Sequence, residues 1–154
     1  MRIKTKPLNI VNLLVVITAL TLSGCGRSEP FSELIAGNCT QSQQLLVKDH
    51  ISGQIDAIAD QNWQKAYRFA AKSFQDSISL ERFTQIITKE YFLLISNQGY
   101  TFGRCEINGD EITQEVSIKS DKSSFQMQYR LSIVDKKLGV IAAAVTKRSE
   151  DVAT

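Results

Sequence analysis

Apolar residues recur at helical spacing through the first half of the chain and at every second position through the second half, with the change of period near Gly99. Leu46, Val47, Ile51, Ile55 and Ile58 line one side of a segment whose other side carries Asp49, Ser52, Asp56 and Asp60, which predicts an amphipathic helix from about Gln41. Asn62 is placed to cap a second helix, with Trp63, Ala66, Tyr67, Ala70 and Phe74 along one face. After a turn at Asp76-Ser77, Ser79 is placed to cap a third helix bearing Leu80, Phe83, Ile86, Ile87 and Tyr91.

Beyond Gly99 the pattern predicts strands at Tyr100–Ile107 and Glu111–Lys119, joined by Asn108-Gly109, a pair suited to the positive backbone angles of a tight hairpin. In the next strand Phe125, Met127, Tyr129, Leu131 and Ile133 alternate with Gln126, Gln128, Arg130 and Ser132, so one face is buried and the other wet. Lys136-Lys137 marks a further turn. Leu138–Val145 is almost wholly apolar, as expected of a strand covered on both faces, and 148–154 reads as a frayed tail. Three helices followed by four antiparallel strands predict an α+β domain over residues 41–147, with a curved sheet packed on the helices.

A different signal occupies the first 25 residues. Arg2, Lys4 and Lys6 precede an apolar stretch from Leu8 to Leu22, and Ser23-Gly24 follows, the three parts of a signal peptide over residues 1–24. The apolar stretch is shorter than the roughly 20 residues a spanning helix needs and is interrupted by Asn9 and Asn12. Leu22-Ser23-Gly24-Cys25 resembles the lipobox of bacterial lipoproteins. That resemblance implies cleavage after Gly24 and acylation of Cys25, with two or more acyl chains giving stable anchoring. Gly26, where an aspartate would imply retention at the inner membrane, favours the periplasmic face of the outer membrane; in a host with one membrane the domain would stand on its outside. Residues 25–40, rich in glycine, serine and small polar residues, then read as a flexible spacer.

Processing changes the charge. The full chain of 154 residues carries a formal +2, but the three basic residues before Cys25 would be removed while all sixteen acidic residues remain, leaving a net −1. A near-neutral domain lacks the basic stripe of a nucleic-acid binder.

Within the domain, Gln54-Ile55-Asp56-Ala57-Ile58, Trp63 with Ala66-Tyr67-Arg68-Phe69-Ala70, and Glu81-Arg82-Phe83 resemble an uncharacterised bacterial group of domains of unknown function, inside the nuclear-transport-factor-two-like (cystatin-like cone) fold. The resemblance covers about residues 50–147 and departs at Glu90-Tyr91-Phe92-Leu93-Leu94, where the group carries a proline-containing segment. It implies a concave pocket between helices and sheet, and dimers through exposed sheet faces, but no activity.

Candidate chemistry is sparse. His50 is the sole histidine, so no multi-histidine metal site can form, and no phosphate loop, nucleophile elbow or Cys-x-x-Cys pair is present. No catalytic residue, metal or cofactor is assigned. Trp63, Tyr67, Tyr91 and Tyr129 are the candidate ligand-binding residues, an aromatic stripe plus hydroxyl donors for a pocket. Simple alternation places Arg104 and Glu106 on one face with Tyr100 and Phe102, as either a ligand-binding pair or a solvated ion pair. With Cys25 acylated, Cys39 and Cys105 remain as two buried thiols or one disulfide, and an oxidising compartment favours the disulfide. The sequence therefore points to a membrane-anchored lipoprotein whose domain binds a small apolar ligand or an envelope protein without turnover. Alternatives are a cone-fold pocket enzyme, isomerase- or cyclase-like, and a structural or assembly lipoprotein.

Overall fold

The computed structural model describes residues 29–121 and 123–150. The signal peptide, Cys25 and the last residues 151–154 lie outside the described residues. The architecture is α+β. Among the described residues, five helices, α1 (Gln41–Ala59), α2 (Trp63–Arg68), α3 (Lys72–Ser77), α4 (Leu80–Glu90) and α5 (Phe92–Ile95), accompany an open five-stranded antiparallel sheet. Its strands, β1 (Gly37–Asn38), β2 (Tyr100–Asn108), β3 (Glu111–Ser120), β4 (Ser123–Val134) and β5 (Lys137–Glu150), lie side by side in chain order.

α1 begins where a capping box forces it to. The Thr40 hydroxyl accepts from the Gln43 amide while the Gln43 side chain accepts from the Thr40 amide, so two otherwise unpaired donors are satisfied. Its buried stripe, Val47, Ile51, Gln54, Ile55 and Ile58, packs on the sheet face formed by Ile112, Val116, Ile118, Met127, Tyr129 and Leu131. Asn62 and Ser79 cap α2 and α4 through their side-chain oxygens, as the sequence suggests.

The expected second helix is broken in two. Phe69–Ala71 leaves the helical path and runs alongside β5: the Val140 amide donates to the Phe69 carbonyl at 2.9 Å, and the Ala71 amide to the Val140 carbonyl at 2.8 Å. Pairing with a sheet edge outweighs the helix propensity of two alanines. The Trp63, Tyr67 and Phe74 stripe is therefore split between α2 and α3.

Two strand expectations also change. β5 is an edge strand, so its far half is uncovered, and Val145 is 41% exposed. It pairs with β4 as far as Glu150, into the stretch expected to fray. In β2, Gly103 and Arg104 together oppose Glu115, a bulge that reverses the inward-outward alternation. Tyr100, Phe102, Cys105 and Ile107 consequently share the core face, while Arg104 and Glu106 point to solvent as an exposed ion pair at 3.5 Å. The ligand-binding reading of that pair is thereby set aside. The Gln114 side-chain amide donates to the carbonyls of Gly103 and Arg104, both at 3.1 Å, and so holds the bulge.

The expected flexible spacer is held against the domain over much of its length. The Pro30 carbonyl accepts from Gln43 Nε2 at 2.8 Å, Glu29 pairs with Lys136, and Gly37–Asn38 hydrogen-bonds as a strand to Glu106–Ile107. Cys39 is joined to Cys105 by a disulfide with a Cα–Cα distance of 5.4 Å.

Candidate functional site

The site is a cavity of about 250 Å³ where α1, α3, α4 and α5 meet β4 and β5. Ile58, Phe74, Phe83, Ile87, Leu94 and Val140 are among its apolar wall residues, and Gln54, Tyr91 and Tyr129 are the polar side chains among the lining residues. Each arrives by a local cause. The Phe69–Ala71 pairing with β5 turns α3 so that Phe74 comes over the sheet, where it meets Phe83 edge-on with centroids 6.2 Å apart. The α4–α5 junction falls at Tyr91, whose hydroxyl donates to the Ala143 carbonyl at 2.8 Å and fastens that junction to β5.

Tyr129 sits opposite Gln114 on β3 and Ala143 on β5, in the middle of the inward sheet face. It is wholly buried, and its hydroxyl has no hydrogen-bond partner among the described residues; neither has the Gln114 Oε1. Burial, with smaller contributions from the Tyr91 and Tyr100 hydroxyls, pushes the Tyr129 pKa up. The group is thus held in its neutral, hydrogen-bond-donating form. An unpaired buried hydroxyl costs about 1–3 kcal/mol.

Of the four aromatic residues singled out in the sequence, Tyr91 and Tyr129 come together at the cavity and Trp63 and Tyr67 do not. Trp63 packs against the rim of the core. The Tyr67 hydroxyl lies 2.5 Å from the Ile78 carbonyl and 3.0 Å from that of Gln75, so it holds the C-terminal end of α3. Sequence reasoning missed Gln54, Phe83 and Ile87 as wall residues, although all three lie on helix faces whose period marks them as inward.

Among the described residues, no carboxylate, histidine or cysteine lines the cavity. The tyrosine–carboxylate contact that does occur, Tyr100 to Asp56 at 2.7 Å, is exposed and ties β2 to α1. Burial above all, then the Asp56 charge against the opposing Ser52 hydrogen bond, raises the Tyr100 pKa. His50 is half-buried under Phe69: its Nε2 lies 2.8 Å from the Phe69 carbonyl, and the rings meet edge to face at 5.1 Å. Desolvation by that packing lowers the His50 pKa despite the hydrogen bond, so the neutral ring donates to the carbonyl and supports the same segment that pairs with β5. Among the described residues there is no cluster of three or more metal-ligating side chains and no helix long and apolar enough to cross a membrane.

No curated protein and no solved structure matches the chain. Residues 40–153, which include every residue of the cavity wall, match the domain of unknown function DUF4864, and the chain belongs to that family.

Proposed function

We propose that this protein is an envelope lipoprotein, acylated at Cys25, whose cone-shaped domain binds a small apolar ligand carrying one hydrogen-bond acceptor. The observation that carries the binding half is the apolar cavity lined in part by Tyr129, a buried residue whose hydroxyl is unpartnered among the described residues. A ligand carbonyl or ether oxygen reaching that hydroxyl would recover the hydrogen bond the fold leaves unmade. The volume of about 250 Å³ lies just under the roughly 300–1,000 Å³ of drug-sized pockets, which suits a short acyl chain or a small ring system. A donor without a companion base favours binding over turnover. The anchoring half is supported by the basic, apolar and small-residue parts of the first 25 residues, and Gly26 after the cysteine favours the periplasmic face of the outer membrane in a host with two membranes.

The binding half is tested by titrating the delipidated domain with prodan, an environment-sensitive naphthyl ketone. Wild type should bind with a blue shift. Tyr129→Phe should weaken binding about fivefold, the equivalent of about 1 kcal/mol, while the ligand-free variant unfolds at equal or higher urea because an unpaired hydroxyl is gone. Ala143→Leu, which grows a side chain on the inward face beside Tyr129, should abolish binding. Equal affinity in all three proteins would remove the cavity from consideration, and a loss of stability in Tyr129→Phe would show that the hydroxyl is already paired, for instance to water.

The anchoring half has its own measurement. Wild type should label with radioactive palmitate and sediment with membranes, and Cys25→Ser should do neither. Unchanged sedimentation of Cys25→Ser would refute acyl anchoring.

A further inference from the structure

We infer that in the acylated protein the end of the sheet carrying the Gly109-Asp110 and Asp135-Lys136 turns is seated on the bilayer surface. This rests on the anchoring at Cys25 proposed above, and its premise is the shortness of the tether. Only Gly26, Arg27 and Ser28 separate Cys25 from Glu29. Four residue steps span at most about 14 Å even when fully extended.

Glu29 is itself fixed to the domain. Its carboxylate pairs with the Lys136 ammonium at the tip of the β4–β5 hairpin, the following Pro30 is held by Gln43, and Phe31 packs against the core. The lipid-bearing residue therefore cannot move far from that hairpin. The strand register gathers the neighbouring segments at the same end: Gly37 opposite Ile107, Asn108 opposite Glu111, Glu111 opposite Ser132, and Val134 opposite Lys137. The opposite end lies about 27 Å away, the rise of β3 from Glu111 to Lys119. A tether of about 14 Å rooted beside Lys136 keeps this end of the sheet against the membrane, and the far end reaches the membrane only if the domain lies flat on it.

The near end carries three of the exposed large apolar side chains of the described residues, while Phe92 and Val145, 59% and 41% exposed, lie away from it. Ile35, two residues before β1, is 71% exposed, Val134 at the hairpin is 61% exposed, and Leu46, which shares a groove with Glu29 and Lys136, is 40% exposed. Scattered singly such residues need no explanation, but three around a lipid attachment point can enter the interfacial zone of a bilayer. The charge there is mixed, Lys136 and Lys137 against Glu29, Asp110 and Asp135. Seating accordingly needs no anionic lipid, and the partner is the bilayer interface itself.

The experiment uses the full chain, acylated in cells, purified and reconstituted into vesicles of phosphatidylcholine with brominated chains. Trp63 is the one native tryptophan and supplies the baseline. Val134→Trp and, as an independent second probe, Ile35→Trp should each add fluorescence that the brominated chains quench at least twofold. Lys119→Trp, at the far end, should add fluorescence that is not quenched. Equal quenching at both ends, or none at either while the protein floats with the vesicles, would overturn the seating. A blue shift at Val134→Trp without quenching would mean that protein, a second copy included, covers this end, and overturns it equally. A chain that carries no fatty acid and does not float removes the anchoring premise, a failure read from flotation and not from quenching.

Discussion

Replacing Cys39 and Cys105 together by alanine should lower the unfolding free energy by about 4 kcal/mol on the chain-entropy account, because the bond closes a loop between residues 66 apart in sequence. That is a large part of the roughly 5–15 kcal/mol typical of a single domain. Alanine is preferred to serine here, since both positions are buried, 5% and 3% exposed, and a hydroxyl would add an unpaired polar group. The loss has a local component too. β1 is only two residues long, and apart from its pairing with Glu106–Ile107 the segment before α1 is tied down by the Cys39 amide to the Cys105 carbonyl at 3.0 Å, by Gln43 and by Lys136. Without the disulfide those contacts must bear the ordering of Glu29–Cys39 alone. Urea unfolding of the oxidised protein, the protein with dithiothreitol, and the double alanine variant checks this: the latter two should coincide, with midpoints well below the first. A midpoint unchanged by dithiothreitol, with free thiols verified, would show that the bond does not stabilise the domain.

The period change at Gly99 and the caps at Asn62 and Ser79 carry most of the architecture, because each is a local requirement that the chain meets with local residues. What stayed hidden depends on pairing between distant segments. Ala70-Ala71 reads as helix because alanine is the strongest helix former, and only the approach of Val140, some seventy positions on, pulls it into a strand-like path. The β2 bulge did leave a trace. A glycine inside a strand pattern, Gly103, is the sign of a bulge, and counting through it without a shift grouped Arg104 and Glu106 on one face with Tyr100 and Phe102. The spacer reads as a free linker by composition, yet Gln43, Lys136 and Cys105 hold it from outside its own sequence. For the site, strand parity put Tyr129 inward; the cavity itself arises from the way α3 and α4 stand off β5, a distance that no periodicity encodes.

Gly139→Ala should destabilise the domain by about 3 kcal/mol, although a glycine-to-alanine change in ordinary extended backbone stabilises by about 0.4–1 kcal/mol through the unfolded chain. A Cβ at Gly139 would stand 2.5 Å from Ala71 Cα, 2.8 Å from Ala71 Cβ and 2.9 Å from Ala71 N. These are backbone atoms and a Cβ, so no side chain can swing aside. The added methyl must push Phe69–Ala71 off the edge of β5. Overpacking of this kind costs about 1–3 kcal/mol, and the two backbone hydrogen bonds to Val140 are worth about 0.5–1.5 kcal/mol each. The neighbouring consequences follow in order: the Phe69 carbonyl loses its place under His50, α3 loses the turn that brings Phe74 over the sheet, and the cavity wall opens. Gly53→Ala is the matched control. Its Cβ would lie 2.4 Å from Phe69 Cζ, the far end of a side chain, so the ring can shift and helix propensity offsets part of the cost. Gly139→Ala should therefore unfold at clearly lower urea than Gly53→Ala and show faster amide exchange at Ala71 and Val140, with prodan binding weakened in parallel. Equal stability of the two variants, with the Ala71 and Val140 amides still protected, would mean that the Phe69–Ala71 segment does not depend on its contact with β5.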